Sequence, residues 1–66
     1  MERNETIALA HARCTIAWDL LAGPHGVLTG GAACAYWRAQ DRIFAELDVS
    51  VEEYYTWCEM MENATA

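Results

Sequence analysis

Lysine is absent from this 66-residue chain, and only four arginines offset its ten aspartates and glutamates, which leaves a formal net charge of −6. Direct nucleic-acid binding relies on basic side chains that neutralise phosphates, so no direct nucleic-acid interface is predicted. The charge is also uneven. Residues 1–45 sum to zero, whereas residues 46–66 contain six carboxylates and no cationic side chain. This acidic end favours a protein partner with a basic surface, or serves only to keep the chain soluble.

Long apolar runs are missing as well. Each run is interrupted far short of the roughly 18 residues that a bilayer span requires, so no membrane segment is predicted. The first residues, MERNET, are polar, and no apolar run follows them as it would in a targeting signal. The three cysteines cannot all pair within one chain. Together these features predict reduced thiols and a cytoplasmic location.

The motifs that mark common enzymes and cofactor sites do not occur. There is no C-x-x-C pair, and the glycines at positions 23, 26, 30 and 31 fit neither a phosphate loop nor a dinucleotide fingerprint. Only Cys14 and His11 lie close enough in sequence to suggest a nucleophile beside a base, and both are predicted to be interior. A chain this short has little room for both a core and a catalytic cleft. We therefore expect a protein that is not an enzyme and has no cofactor.

Apolar residues make up 55% of the chain and recur with a helical period. This pattern predicts a single all-α domain, with two longer helices over residues 5–22 and 31–47 forming a hairpin and a shorter third helix over residues 51–62. The second helix has a broad apolar arc that includes Trp37 and Phe44, with Gln40 in its middle. Residues 63–66 are expected to form a frayed tail.

Local signals predict where these helices begin. Asn4 or Thr6 is the expected N-cap of the first helix, and Thr29 that of the second. Residues 50–53, SVEE, match a capping box, in which Ser50 and Glu53 satisfy each other's backbone amides. Val49 and Tyr54 stand where a hydrophobic staple would place them.

The first helix is apolar on two sides. Ile7, Cys14, Trp18 and Leu21 form one stripe with His11 inside it, and a second stripe on roughly the opposite side consists of Leu9, Ile16 and Leu20. A helix that is apolar on two sides is buried on two sides. Because the chain is too short to cover both, we predict a homodimer with the second stripe at its interface.

The acidic third helix is the predicted functional surface. Its carboxylates resemble a row of phosphates and would fit the basic groove of a nucleic-acid-handling protein, with an aromatic residue as anchor. The predicted function is therefore a small module that binds and modulates a larger basic partner, most simply by inhibition, as phage and mobile-element inhibitors do. The predicted partner-binding residues are Glu52, Glu53, Glu59, Glu62, Tyr55 and Trp57.

Two alternatives stay open at this point. In the first, His11 joins the three cysteines, Cys14, Cys34 and Cys58, in a metal or redox module, although their spacing favours buried apolar thiols and no metal site is predicted. In the second, the chain is a structural subunit that functions through its apolar stripes.

The stretch over residues 28–47, under a third of the chain, has a distinctive set of residues: Tyr36, Trp37, Ala39, Asp41 and AEL at residues 45–47, with Arg13 and Cys14 upstream. In these positions the central helix resembles that of the haemolysin-expression-modulating family, small helical proteins that associate with nucleoid-associated proteins. The resemblance implies a partner that handles nucleic acid. The family is rich in lysine and its last segment differs, so membership is not inferred.

Overall fold

The computed structural model describes residues 2–65. Within them the chain forms three α-helices, α1 (Arg3–Ala22), α2 (Gly31–Leu47) and α3 (Val51–Thr65), with a 3₁₀ turn at Gly23–His25 after α1 and no strand. The all-α prediction is confirmed. None of these helices combines the length and apolar character that crossing a bilayer demands.

Helices α1 and α2 form an antiparallel hairpin. Arg13 of α1 lies 3.7 Å from Glu46 of α2, whereas Trp18 contacts Tyr36 edge-on with 5.2 Å between ring centroids. Moving forward along α1 thus means moving backward along α2. Proline in the first turn of the 3₁₀ segment, with Gly26 in the left-handed conformation at its end, reverses the chain between them.

Two predicted helix ends are wrong by a few residues. Helix α1 begins at Arg3 rather than at residue 5, because arginine, asparagine and glutamate can all be accommodated in a first helical turn. Helix α3 continues through Thr65, so the predicted frayed tail is helical as far as the structure describes it. Residue 66 lies outside the described residues. The predicted bounds of α2 are confirmed.

Two predicted N-caps are also wrong. Glu2 occupies the N-cap position of α1 and makes no side-chain cap bond. Gly30 caps α2 with φ of 54°, a left-handed backbone angle that glycine adopts at little cost. Thr29 acts one position earlier through its carbonyl oxygen, which accepts a hydrogen bond from the Ala32 amide at 3.1 Å.

The capping box before α3 is confirmed in both directions. The Glu53 amide donates to the Ser50 hydroxyl oxygen at 3.2 Å, and the Ser50 amide donates to the Glu53 carboxylate at 2.7 Å. Val49 is buried and Tyr54 packs on the same core cluster, as a staple requires. Asp48 makes the tight connection possible by adopting a left-handed φ of 54° at the end of α2.

The buried core is small and lies at one end of the hairpin. Its members come from the first two thirds of α1, the end of α2 and the connection to α3: Ile7, Ala10, Cys14, Phe44 and Val49. Ile43, Leu47, Tyr54 and Trp57 pack around this cluster. The opposite end of the hairpin has no third helix over it. Trp37, predicted to belong to the apolar arc, is therefore 56% exposed.

Gln40 is half-buried on the apolar face of α2. Among the described residues no buried side-chain nitrogen or oxygen lacks a hydrogen-bond partner. The penalty expected for an unpaired amide on this face does not arise, because the side chain is only partly removed from solvent.

Candidate interaction surface

The outer side of α3 presents an acidic face made of Glu52, Tyr55, Glu59 and Glu62. Their spacings of three, four and three residues place them along one side of the helix. All four side chains are exposed, and Tyr55 is 58% exposed. The capping box at residues 50–53 fixes the first residue of α3, and therefore which residues lie in the first turn of this face.

Glu53 belongs to the opposite side of α3 and binds within the molecule. Its two carboxylate oxygens accept hydrogen bonds from Arg3 of α1, with Nε–Oε1 of 2.6 Å and Nη2–Oε2 of 2.5 Å. A second contact from Arg3 Nη2 reaches the carbonyl oxygen of Asp48. Hydrogen bonds from Arg3 and from the Ser50 amide lower the pKa of Glu53 to about 2. Glu53 thus anchors α3. Its position in the capping box indicates this role, but nothing in the sequence indicates its long-range partner Arg3.

Trp57 also lies apart from the acidic face. It is half-buried, with its ring centroid 5.3 Å from that of His11 on α1 and 6.4 Å from that of Tyr54. Together with His11, Cys58 and Met61 it lines a shallow groove of about 410 Å³ between α1 and α3, and Glu62 borders both this groove and the acidic face. Of the two predicted aromatic anchors, Tyr55 is the one that stands among the exposed carboxylates.

Most of the arginine side chains form ion pairs within the hairpin or at its junction with α3. Arg13 and Arg42 both pair with Glu46, at 3.7 and 3.3 Å, and Arg3 pairs with Glu53. Within residues 2–64 no salt bridge reaches the Glu52 or Glu59 carboxylate. The Glu52 and Glu59 carboxylates therefore keep their negative charge toward solvent.

The cysteines and His11 do not form a joint site. Cys14 is buried, Cys58 is half-buried and Cys34 is exposed on α2. In the part of the chain that the structure describes, no three His, Cys, Asp or Glu side chains lie close enough together to hold a metal ion. Cys34 cannot join the other two because it faces away from the core.

A nucleophile–base pair of Cys14 and His11 has no geometric support either. Burial raises the pKa of the Cys14 thiol, which disfavours the reactive thiolate. The prediction that His11 is interior is wrong, since its side chain is exposed, and its Nδ1 lies 2.8 Å from the Tyr54 hydroxyl. Desolvation, with contacts to Cys58, raises the pKa of Tyr54 as well. His11 and Tyr54 instead link α1 to α3.

The second apolar stripe of α1 faces solvent along most of its length. Leu9 is half-buried, whereas Ile16 is 58% exposed and Leu20 is 79% exposed. The stripe lies about 160° around the helix from His11, on the side that α3 does not cover.

Comparison with known proteins adds no relative from which a function could be transferred. No protein-family model, curated protein or solved structure matches the chain. Function is therefore inferred from the geometry and charge of the surfaces described above.

Proposed function

We propose that the protein is a non-enzymatic interaction module whose acidic face binds a larger partner with a basic surface, such as a nucleic-acid-handling protein. The observation that carries this proposal is the placement of Glu52, Tyr55 and Glu59 side by side on the solvent side of α3. Glu53 and Trp57, which serve the packing of α3, are left out of the contact surface.

Charge and shape act together on this face. Glu52 and Glu59 are two helical turns apart, or about 10 Å along the helix axis. Carboxylates at this spacing on a rigid helix can meet basic side chains that ordinarily hold phosphates. Such charge complementarity accelerates association and makes it salt-dependent. Tyr55 adds a large amphipathic side chain with few rotatable bonds, the type of residue that dominates interface energies.

Inhibition follows from this mode of binding. A partner whose basic groove is filled by the acidic face cannot hold nucleic acid in that groove at the same time. Small acidic proteins of phages and mobile elements block host machinery in this manner, and the analogy here is one of size and charge. The proposal places the module in the cytoplasm, where its three thiols remain reduced.

The test compares two double charge reversals. Immobilised wild-type protein, Glu52→Lys/Glu59→Lys and Glu2→Lys/Glu5→Lys are used to capture proteins from a cell lysate at several salt concentrations. The second variant changes the net charge equally but alters α1 instead of α3. We expect one basic protein to be retained by the wild type and the α1 variant, lost from the α3 variant, and released by added nucleic acid.

Affinities measured with the purified partner make the test quantitative. The Tyr55→Ala variant should weaken binding by roughly 30-fold if Tyr55 is an anchor, which is the loss of about 2 kcal/mol typical of interface hot spots. Equal affinity of the wild type and the Glu52→Lys/Glu59→Lys variant would refute the proposed surface.

We propose in addition that the functional unit is a homodimer. Its interface would include Leu9, Ile16 and Leu20 of α1, which lie on a different helix from the acidic face. Two copies can therefore associate without covering Tyr55 or the carboxylates around it.

A further inference from the structure

The surface of this chain is larger than the average for a folded monomer of its mass. A compact protein of 7.4 kDa exposes about 4,200 Å². The accessible surface here is 4819 Å², an excess of roughly 600 Å². The radius of gyration is 12.7 Å, whereas about 11 Å is usual for a compact domain of this length.

The molecule is also flat, with principal extents of 33 × 29 × 18 Å. The hairpin is covered by α3 on one side and at one end only, where Trp57 meets His11 and Tyr54 meets Phe44 with ring centroids 5.0 Å apart. The missing layer thus lies on the other side of the hairpin.

That uncovered side combines the Arg13–Glu46 ion pair with small and large apolar residues. The Arg13–Glu46 ion pair fixes which sides of α1 and α2 adjoin there. Helical spacing then places half-buried alanines between the two helices, one of them four residues after Arg13 and the others seven and eleven residues before Glu46 along α2: Ala17, Ala39 and Ala35. The exposed side chains of Ile16 and Leu20 stand beside this low strip. Large apolar side chains next to small ones form a surface that can interlock with a copy of itself.

Resting on the proposed homodimer, we infer that two hairpins pack through these sides into a four-helix core, with both α3 helices outside it. The occupant is a second copy because the excess of roughly 600 Å² is close to the about 800 Å² that each partner buries in a standard interface. A two-fold arrangement buries Leu9, Ile16 and Leu20 twice. It also presents two acidic faces, so the dimer is bivalent toward a partner with two basic sites.

Sedimentation equilibrium across a wide range of protein concentration tests the inference. The wild type should have a dimer mass at micromolar concentration, and its melting temperature should rise with concentration, as expected when association stabilises the fold. Ile16→Glu/Leu20→Glu should be monomeric while keeping its helical circular dichroism. Val27→Glu is the matched control, because Val27 is 61% exposed but lies in the connection rather than on the hairpin side.

The outcomes separate the two levels of the proposal. A monomeric wild type at all concentrations would overturn both the homodimer and its four-helix core. A dimer that persists in the Ile16→Glu/Leu20→Glu variant would leave the homodimer standing and overturn the hairpin interface. Equal dissociation of the Val27→Glu variant would also overturn that interface, since it would indicate association through unspecific apolar contact.

If the double variant loses its helicity, Leu20→Ala replaces it, because alanine favours the helix and leaves the core untouched. The side chain is truncated twice per dimer, so the dissociation constant should rise at least about tenfold. An unchanged dissociation constant would contradict the inferred interface.

Discussion

The junction of α1 and α3 can be dissected with two substitutions that act through different physics. Ser50→Ala removes the hydroxyl oxygen that accepts the Glu53 amide, but leaves Arg3 in place. Arg3→Met removes the guanidinium that holds the Glu53 carboxylate and contacts the Asp48 carbonyl oxygen, but leaves the cap intact. Methionine keeps a long unbranched stem, so the change is mainly one of charge and hydrogen bonding.

The magnitude expected for Ser50→Ala follows from the loss of an N-cap. Replacing a serine cap by alanine costs about 1 kcal/mol, within a range of about 0.5–2 kcal/mol. In a domain of this size such a loss lowers the melting temperature by about 4–8 °C. The effect should be nearly independent of pH above the ordinary range of carboxyl titration, because the hydroxyl does not titrate.

The effect of Arg3→Met should instead depend on pH. The pKa of Glu53 is lowered from 4.5 to about 2 in the folded protein, chiefly by Arg3. A carboxyl group with a lowered folded-state pKa stabilises the fold fully above its unfolded pKa, and that stabilisation is lost as the pH falls toward the folded value. The deficit of the variant should therefore be full at neutral pH and shrink between pH 4.5 and 2.

Thermal unfolding followed by circular dichroism at fixed protein and salt concentration measures both effects. Adding salt at neutral pH should also reduce the Arg3→Met deficit, since both side chains are partly exposed. A deficit that stays constant between about pH 7 and about pH 3 would refute the role assigned to the ion pair. An unaltered melting temperature for Ser50→Ala would refute the energetic importance of the cap.

Two further predictions concern the core and its rim. Phe44→Ala removes the largest side chain of the core, where Phe44 is only 5% exposed. The substitution should lower the free energy of unfolding by about 3–5 kcal/mol and abolish the cooperative unfolding transition seen by circular dichroism. Retained cooperativity would disprove the assigned packing. Because burial raises the pKa of Tyr54, stability should fall as the pH rises above about 10, and Tyr54→Phe should remove the most alkaline part of the phenolate absorbance titration. A titration unchanged by Tyr54→Phe would show that this hydroxyl is not protected.

The predictable part of the fold comes from patterns that are local in the chain. Helical periodicity located all three helices, and residues 50–53 were sufficient to fix the start of α3 because both halves of a capping box lie within one turn. The end of α2 was found although its left-handed residue is Asp48 rather than glycine. Helix ends without such a signal, at Arg3 and Thr65, were misplaced by a few residues.

The unpredicted part depends on contacts between distant residues. The sequence places Glu53 beside three other carboxylates of α3, yet Arg3, fifty positions away, removes it from the acidic face. The sequence does not distinguish Trp57 from Tyr55 as the aromatic anchor. The two differ in the structure because Trp57 packs against His11, whereas Tyr55 is exposed. Trp37 belongs to the apolar arc by periodicity, but it is exposed because the core ends before reaching it.

The last part of α3 extends beyond the core. Every side chain from Glu59 to residue 64 is exposed, although the helix continues through Thr65. Backbone amides in such a segment open by local fraying, without disturbing Phe44 or the hairpin, and exchange their hydrogens with solvent quickly. A partner seated on the acidic face would hold this segment helical and slow that exchange. If the proposed partner binds the acidic face, hydrogen exchange at the end of α3 should report that binding at individual amides.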